Sequence, residues 1–322
     1  MPYWEVVMRS FRISWNHKYL WLIALFSGEG GGGFSFNYSQ PSAPRGSPTP
    51  NFATIQQQVT TWIADHVALI VLLAILWLLL VILFFILAAV CEGATVRASA
   101  EHDAERPFGL RWAWRSGVTT MWVIVRFRLI LLALGLPVFL LAVGLGAGIA
   151  VSVVKGNSGA VAVLVVLALL LALLAIPYLI YLTLLDRLGT RTAVLELIAA
   201  RPAIVRAHRL LRKRLGRTLL VWLLSIAVGI VLAIALACLL AIVFVPLFLI
   251  GAVAFASGTA AFLPFLILGV LILLPVGLVV QGFVAAQSST YWTLAFRRLD
   301  LDQAPAYAYP YQPTPQPPQI TS

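Results

Sequence analysis

The chain has 322 residues, of which 61% are hydrophobic and only 10% charged, with a mean hydropathy of +0.99. A soluble domain carries about 25% charged residues, so a chain this apolar has too little polar surface for water and its main solvent is lipid. The formal net charge of +11 raises nucleic acid as a partner, but no recognisable reading module accompanies it.

Nineteen of the 22 basic residues are Arg, a usage that points to a GC-rich bacterial genome. The two cysteines, Cys91 and Cys238, stand far apart in apolar surroundings, which argues against a disulfide or a metal site.

Residues 1–18, MPYWEVVMRSFRISWNHK, lack the compact basic start and small-residue cleavage site of a signal peptide. Residues 19–27 are apolar but too short to cross a bilayer alone. They read as the inner half of a crossing helix continued by FSFNYS, or as a re-entrant loop. Between them lies GEGGGG, a literal GxGxxG at Gly28, Gly30 and Gly33. A dinucleotide site needs a strand before that motif and a helix after it. Here an apolar segment precedes and a Ser/Pro-rich stretch follows, so a flexible or closely packed backbone is expected. Asn37-Tyr38-Ser39 is a glycosylation sequon that matters only in a eukaryotic secretory pathway.

Three uncharged runs follow, at 67–91, 129–154 and 159–185. Each exceeds the roughly 20 apolar residues a crossing helix needs. Residues 218–296 contain no charge and read as two long helices, about 218–250 and 262–295, although three helices also fit. Gly144 and Gly148 form a GxxxG, expected to serve packing within the chain. Pro137, Pro177, Pro246, Pro264 and Pro275 are expected to kink spans.

Charge sets the threading. Segments 1–18, 92–128, 186–217 and 297–322 hold 20 of the 22 basic residues, and the intervening outer segments hold only Arg45 and Lys155. Basic residues stay cytoplasmic. The expectation is an all-α polytopic protein of about six transmembrane helices with both termini cytoplasmic. Identities at an offset of 95 (Thr95 with Thr190, Arg106-Pro107 with Arg201-Pro202, Arg111 with Arg206) point to a repeat of three helical hairpins. Each hairpin follows an amphipathic cytoplasmic interfacial stretch.

The spans hold no ionisable residue, which argues against a proton- or charge-coupled pump. Glu92 and Asp186 end two spans on the inner side and are structural ion-pair candidates, with Arg97, Arg187 and Arg191 nearest in sequence. The four histidines, His17, His66, His102 and His208, read as solvated or interfacial. The most basic stretch, RAHRLLRKRLGR at 206–217, reads as an amphipathic interfacial helix. Ile204, Leu211 and Leu215 fall on its bilayer arc. Arg206, Arg209, Lys213 and Arg217 fall on the opposite side and Arg212 and Arg214 flank the arc, all close enough to the anionic inner leaflet to be attracted to it. Residues 300–322, rich in Pro, Tyr and Gln, are expected to form a disordered cytoplasmic tail beyond a membrane domain of 1–299.

Three motifs carry a resemblance: Trp15-x-His17-Lys18-x-Leu20-Trp21; Asp186-Arg187 leading through Glu196 to His208–Arg212; and Tyr291-Trp-Thr-Leu-Ala-Phe-Arg-Arg-Leu299. They resemble a group of uncharacterised bacterial multi-pass membrane proteins, loosely similar to the membrane domain of glycerophosphodiester phosphodiesterases. None of the motifs is catalytic, and the resemblance places phosphodiesterase chemistry in a separate barrel that is not expected here. The resemblance therefore implies a fold and no activity.

The expected function is a non-enzymatic scaffold or accessory protein of the bacterial inner membrane. It engages lipid, a protein partner or a second copy at its cytoplasmic face, without cofactor, metal or nucleic acid. The alternative is a transporter or channel for a neutral or lipidic solute. A lipid-modifying enzyme would need polar residues to converge at one interface.

Overall fold

The computed structural model describes residues 3–29, 60–256 and 262–301, and among these residues there is no strand. In chain order the helices are α1 (Tyr3–Asn16), α2 (Tyr19–Leu25), α3 (Val67–Asp103), α4 (Leu110–Val154), α5 (Ser158–Glu196), α6 (Ala200–Lys213), α7 (Leu215–Ala256) and α8 (Phe262–Leu301). A short helical turn at 60–65 precedes α3. Among the described residues, α3, α4, α5 and the first part of α7 are long and apolar enough to cross a membrane. Residues 218–296 thus lie in two long helices, with 257–261 outside the described residues. Gly30, Gly33, Asn37, Arg45 and the tail beyond 301 also lie outside them.

Burial divides the long helices sharply. The buried residues of α3 run from Ala89 to Ala100, those of α5 from Leu184 to Leu195, and α4 is buried only between Ala113 and Phe127. In α8 they are Ala285 to Leu299. The stretches beyond expose Leu, Ile, Val and Phe on most sides, as in Leu76, Trp77, Phe139, Leu173 and Ile234. Helices that are apolar all round and unpacked are exposed to lipid, not water. The molecule is therefore a packed helical core from which long apolar arms extend.

Small residues make that core tight. A Cβ on Gly117 would lie 2.2 Å from the Val90 carbonyl oxygen, and one on Gly93 would lie 2.5 Å from Thr120 Oγ1, so α3 and α4 touch almost backbone to backbone. Gly189 makes room for the Phe127 ring, and Gly282 for the backbone of Trp21. The GxxxG of α4 does nothing comparable. Gly144 faces open space and Gly148 meets only Leu164 at ordinary distance. At the far end, Gly156 (φ +67) provides the left-handed residue that stops α4, and the Asn157 side chain accepts a hydrogen bond from the Ala160 N–H at 3.1 Å to start α5.

Three helices, α3, α5 and α8, run toward the core and touch one another there. Buried hydroxyls join α1, α3 and α8: Ser99 and Thr290 bond at 3.0 Å, and the Ser14 hydroxyl donates to Thr290 at 3.4 Å. The short α2 packs on α8 and α3 with Leu20, Ile23 and Ala24 buried.

The basic helix α6 departs from expectation. It stops at Lys213, and Arg214 leaves the helical region before α7 begins. Its buried face is Ala200, Ala203, Ala207, Leu210 and Leu211, turned toward the protein. Of the residues assigned to a bilayer arc, Leu211 is buried in the core, Ile204 is half-buried and Leu215 is exposed. The alanines explain the difference: they let α6 lie closely on α5, a contact that charge spacing alone does not reveal.

Candidate functional site

The arms end at a common level. Glu92 follows the apolar run of α3, Arg128 precedes that of α4, Asp186 and Arg187 follow that of α5, and Gln287 lies on α8 just inside the core. Around these residues gathers a buried charged cluster. It includes one residue that the charge-based reading of the sequence passed over, Glu29.

Glu29 lies just beyond α2 and is 5% exposed. Its Oε1 accepts from Arg191 Nη2 at 2.7 Å and lies 3.2 Å from Arg187 Nη1. The Arg191 side chain is fully buried and also donates to the Arg187 carbonyl oxygen at 2.8 Å. Burial alone would raise the Glu29 pKa. The Arg191 charge, and after it that of Arg187, overrides this and holds the carboxyl at about 2. Glu29 Oε2 and Arg191 Nε are buried without a hydrogen-bond partner among the described residues.

This position bears on the first apolar segment. Residue 29 is still inside the core, so residues 19–29 do not carry the chain away from it. Gly28, at φ +73, turns the backbone beside this carboxylate.

Glu92 pairs with Arg128, 36 residues along the chain on α4. Arg128 also donates to the Ser27 carbonyl oxygen at 3.3 Å, tying α4 to the segment after α2. The arginines nearest Glu92 and Asp186 in sequence have other partners. Arg97 meets Glu101 at 3.0 Å, and Arg187 and Arg191 meet Glu29. Asp186 makes no ion pair within 4 Å among the described residues. Arg187, Arg128, Glu29 and Arg191 are its charged neighbours. Helix spacing brings residues four apart together, but Glu92–Arg128 and Glu29–Arg191 are tertiary contacts that need the folded core.

A cavity of about 540 Å³ opens beside the cluster, bounded by α5, α7 and α8. Glu29, Arg187, Thr183, Ser225, Gln281 and Ser288 supply its polar lining. Ile226, Ile230, Leu236, Val280 and Val284 supply the apolar wall, which continues along the arms. A volume of this size is typical of a small-ligand site.

Of the predicted basic set on α6, Arg206 is engaged within the protein, with Glu196 at 2.9 Å and Asp300 at 3.4 Å. Arg209, Arg212 and Lys213 are exposed on the face away from the core, Arg217 is exposed where α7 begins, and Arg214 is half-buried. His66 is exposed, as expected, but the other three histidines are tied into the structure. His102 Nε2 bonds the Tyr19 hydroxyl at 2.5 Å, and its ring stacks on His17 at 3.6 Å. His208 Nδ1 bonds the Tyr181 hydroxyl at 2.5 Å. Burial, then the neighbouring His17, lowers the His102 pKa to about 4. Among the described residues, no group of three or more His, Cys, Asp or Glu side chains is arranged to hold a metal ion.

Residues 8–302 match a family described as a family of unknown function, DUF7544. The chain belongs to this family. No curated protein and no solved structure matches it. These comparisons lend no support to the likeness to glycerophosphodiester phosphodiesterase membrane domains. Membership in DUF7544 extends over α2 to α8 and most of α1, so both the charged cluster and the cavity fall within the family's extent.

Proposed function

We propose that this protein is a non-enzymatic scaffold or accessory protein of a bacterial cytoplasmic membrane, engaging lipid or a protein partner at the inner boundary of the bilayer. The observation that carries this reading is the placement of a buried, charge-paired core where all the apolar arms end. Three carboxylates (Glu29, Glu92, Asp186) and three guanidiniums (Arg128, Arg187, Arg191) gather there. Paired charges at the foot of lipid-facing helices suit a rigid anchor better than a path for ions.

Parity supports six passages arranged as three hairpins. Glu29 and the end of α8 both belong to the core, and the five long helices run alternately away from and toward it. Two points on one side of a bilayer are joined by an even number of passages, which favours six over five. The 20-to-2 partition of basic residues supports a cytoplasmic core with both termini inside. Helix α1 supports an interfacial level. Its exposed Trp4, Met8 and Trp15 fall within about 40° of arc at 100° per residue, and Trp sits preferentially at the headgroup boundary. Single cysteines at positions 40, 157 and 258 should react with an impermeant reagent in intact cells, and one at 310 should not. Reaction at 310 overturns this orientation.

The cavity favours a second reading, a transporter or channel for a neutral or lipidic solute. A flip assay separates the two. Proteoliposomes carrying a fluorescent phospholipid should be bleached by external dithionite to the same half-extent as protein-free vesicles. Complete bleaching sinks the scaffold reading and establishes lipid transport.

A further inference from the structure

We propose that the cavity bounded by α5, α7 and α8 holds one membrane phospholipid, its phosphate against Arg187 and an acyl chain along Ile226, Ile230 and Leu236. This rests on the reading that the charged core lies at the membrane boundary, because only there does a headgroup reach Arg187 while its chains remain among the arms.

Charge is the first argument. Glu29 and Arg187 line the cavity, with Arg191 fully buried directly behind Glu29. This trio carries two positive charges and one negative. Asp186, which balances the cluster as a whole, does not line the cavity. Arg187 uses one nitrogen on Glu29 and keeps its side chain 21% exposed, so donors remain for a second anion. A phosphodiester carries one negative charge and accepts charge-assisted hydrogen bonds from a guanidinium. Ser225 and Ser288 add hydroxyls to the lining.

Shape is the second argument. Glu29, Arg187 and Ser288 line the cavity at the core, while along the arms the wall is mostly the apolar surface of α7 and α8, interrupted by Gln281. A free phosphate leaves that wall unused, and a hydrocarbon alone leaves the exposed part of Arg187 without an anion inside the cavity other than Glu29. An amphiphile satisfies both ends. Gly229 borders the cavity, and a Cβ placed there meets nothing within 4 Å. The absence of a side chain at this position keeps the groove open.

The test uses the full chain in nanodiscs containing a phosphatidylethanolamine with a photoactivatable diazirine on one acyl chain. After illumination, cross-linked peptides are mapped by mass spectrometry. Wild-type protein should concentrate labelling in 226–236, beyond that at the exposed arm around Trp77. Gly229→Trp should lower labelling in 226–236 at least tenfold and leave the Trp77 region unchanged. Its melting temperature should stay near wild type, because the new ring enters open space. Arg187→Lys keeps the charge but loses the planar fork, and should lower labelling about threefold. Equal labelling by a photoactivatable diacylglycerol, which has no phosphate, refutes the headgroup assignment. Displacement by millimolar glycerol phosphate shows that a soluble phosphate is the ligand and refutes the lipid. Uniform labelling along all arms, unaffected by Gly229→Trp, refutes the site. The dithionite and cysteine assays are independent of all three results, so failure here leaves the scaffold reading separately decidable.

Discussion

Replacing Glu29 by Gln keeps the shape of the side chain and deletes its charge, leaving Arg191 fully buried with no carboxylate at ion-pair distance among the described residues. Two routes give the cost. The carboxyl is held at about 2 against an ordinary value of 4.5, and 2.5 pKa units correspond to about 3 kcal/mol. Breaking a buried ion pair by removing one partner costs roughly 3–5 kcal/mol. The routes agree on about 3 kcal/mol, which lowers a melting temperature by roughly 6–12 °C. The assay is thermal unfolding in detergent, followed by intrinsic fluorescence, across pH. Because the folded pKa lies below the unfolded one, the wild-type contribution is complete above about pH 4.5 and is lost as pH falls toward 2. The wild type should therefore lose stability over that window, and Glu29→Gln should be nearly flat there. Glu105→Gln, whose side chain is 86% exposed, should melt like wild type. The double variant Glu29→Gln with Arg191→Met should recover part of the loss, since an apolar side chain leaves no unpaired charge. A Glu29→Gln variant that melts within 2 °C of wild type and keeps its acid limb refutes the argument.

Three further outcomes are expected. Gly117→Ala and Gly93→Ala should each cost about 1–3 kcal/mol by overpacking, because the new methyls meet Val90 and Thr120; Gly144→Ala should be neutral or stabilising by melting temperature, and equal behaviour of all three sinks the close-packing account. His102 is held neutral by burial and by His17, with a pKa of about 4. The contribution of His102 should thus be lost as pH drops from about 6.5 to 4, and the difference in melting temperature between wild type and His102→Phe should shift in favour of His102→Phe over that range. Replacing Arg209, Arg212 and Lys213 together by Gln should abolish the extra melting stability that anionic over zwitterionic nanodiscs confer, about 1 kcal/mol per basic residue near the surface; an unchanged lipid dependence refutes contact between that face and the leaflet.

The apolar arms were legible because they depend on composition alone: a run without charge is apolar on every face, whatever it packs against. The end of each arm was legible for the same reason, at Glu92, Arg128 and Asp186. What escaped the sequence was pairing across the core. The i, i+5 offset turns Arg97 away from Glu92 around α3, but nothing local singles out Arg128 as the partner. Glu29 carried a signal that went unused. It is a lone carboxylate beside an apolar segment, next to a glycine that frees the backbone to turn, and in a low-dielectric setting such a group must find a cation.

The basic helix α6 shows why composition reads differently on two faces of one element. Its arginines made it look like a membrane-surface helix, and its few leucines were assigned to the bilayer. The alanines at 200, 203 and 207 carry the packing instead, and with Leu210 and Leu211 they form the strip against the core. Apolar surface already committed to protein cannot also enter lipid. With Val205 the one large apolar side chain that α6 leaves exposed, any attraction of α6 to the leaflet is mainly electrostatic, through Arg209, Arg212 and Lys213, and weakens with salt over a Debye length of about 10 Å at 0.1 M. On α1, Val6, Val7 and Ile13 are buried while Trp4, Met8 and Trp15 remain exposed. If the core lies at the membrane boundary, as proposed, α6 presents charge to it and α1 presents aromatic surface.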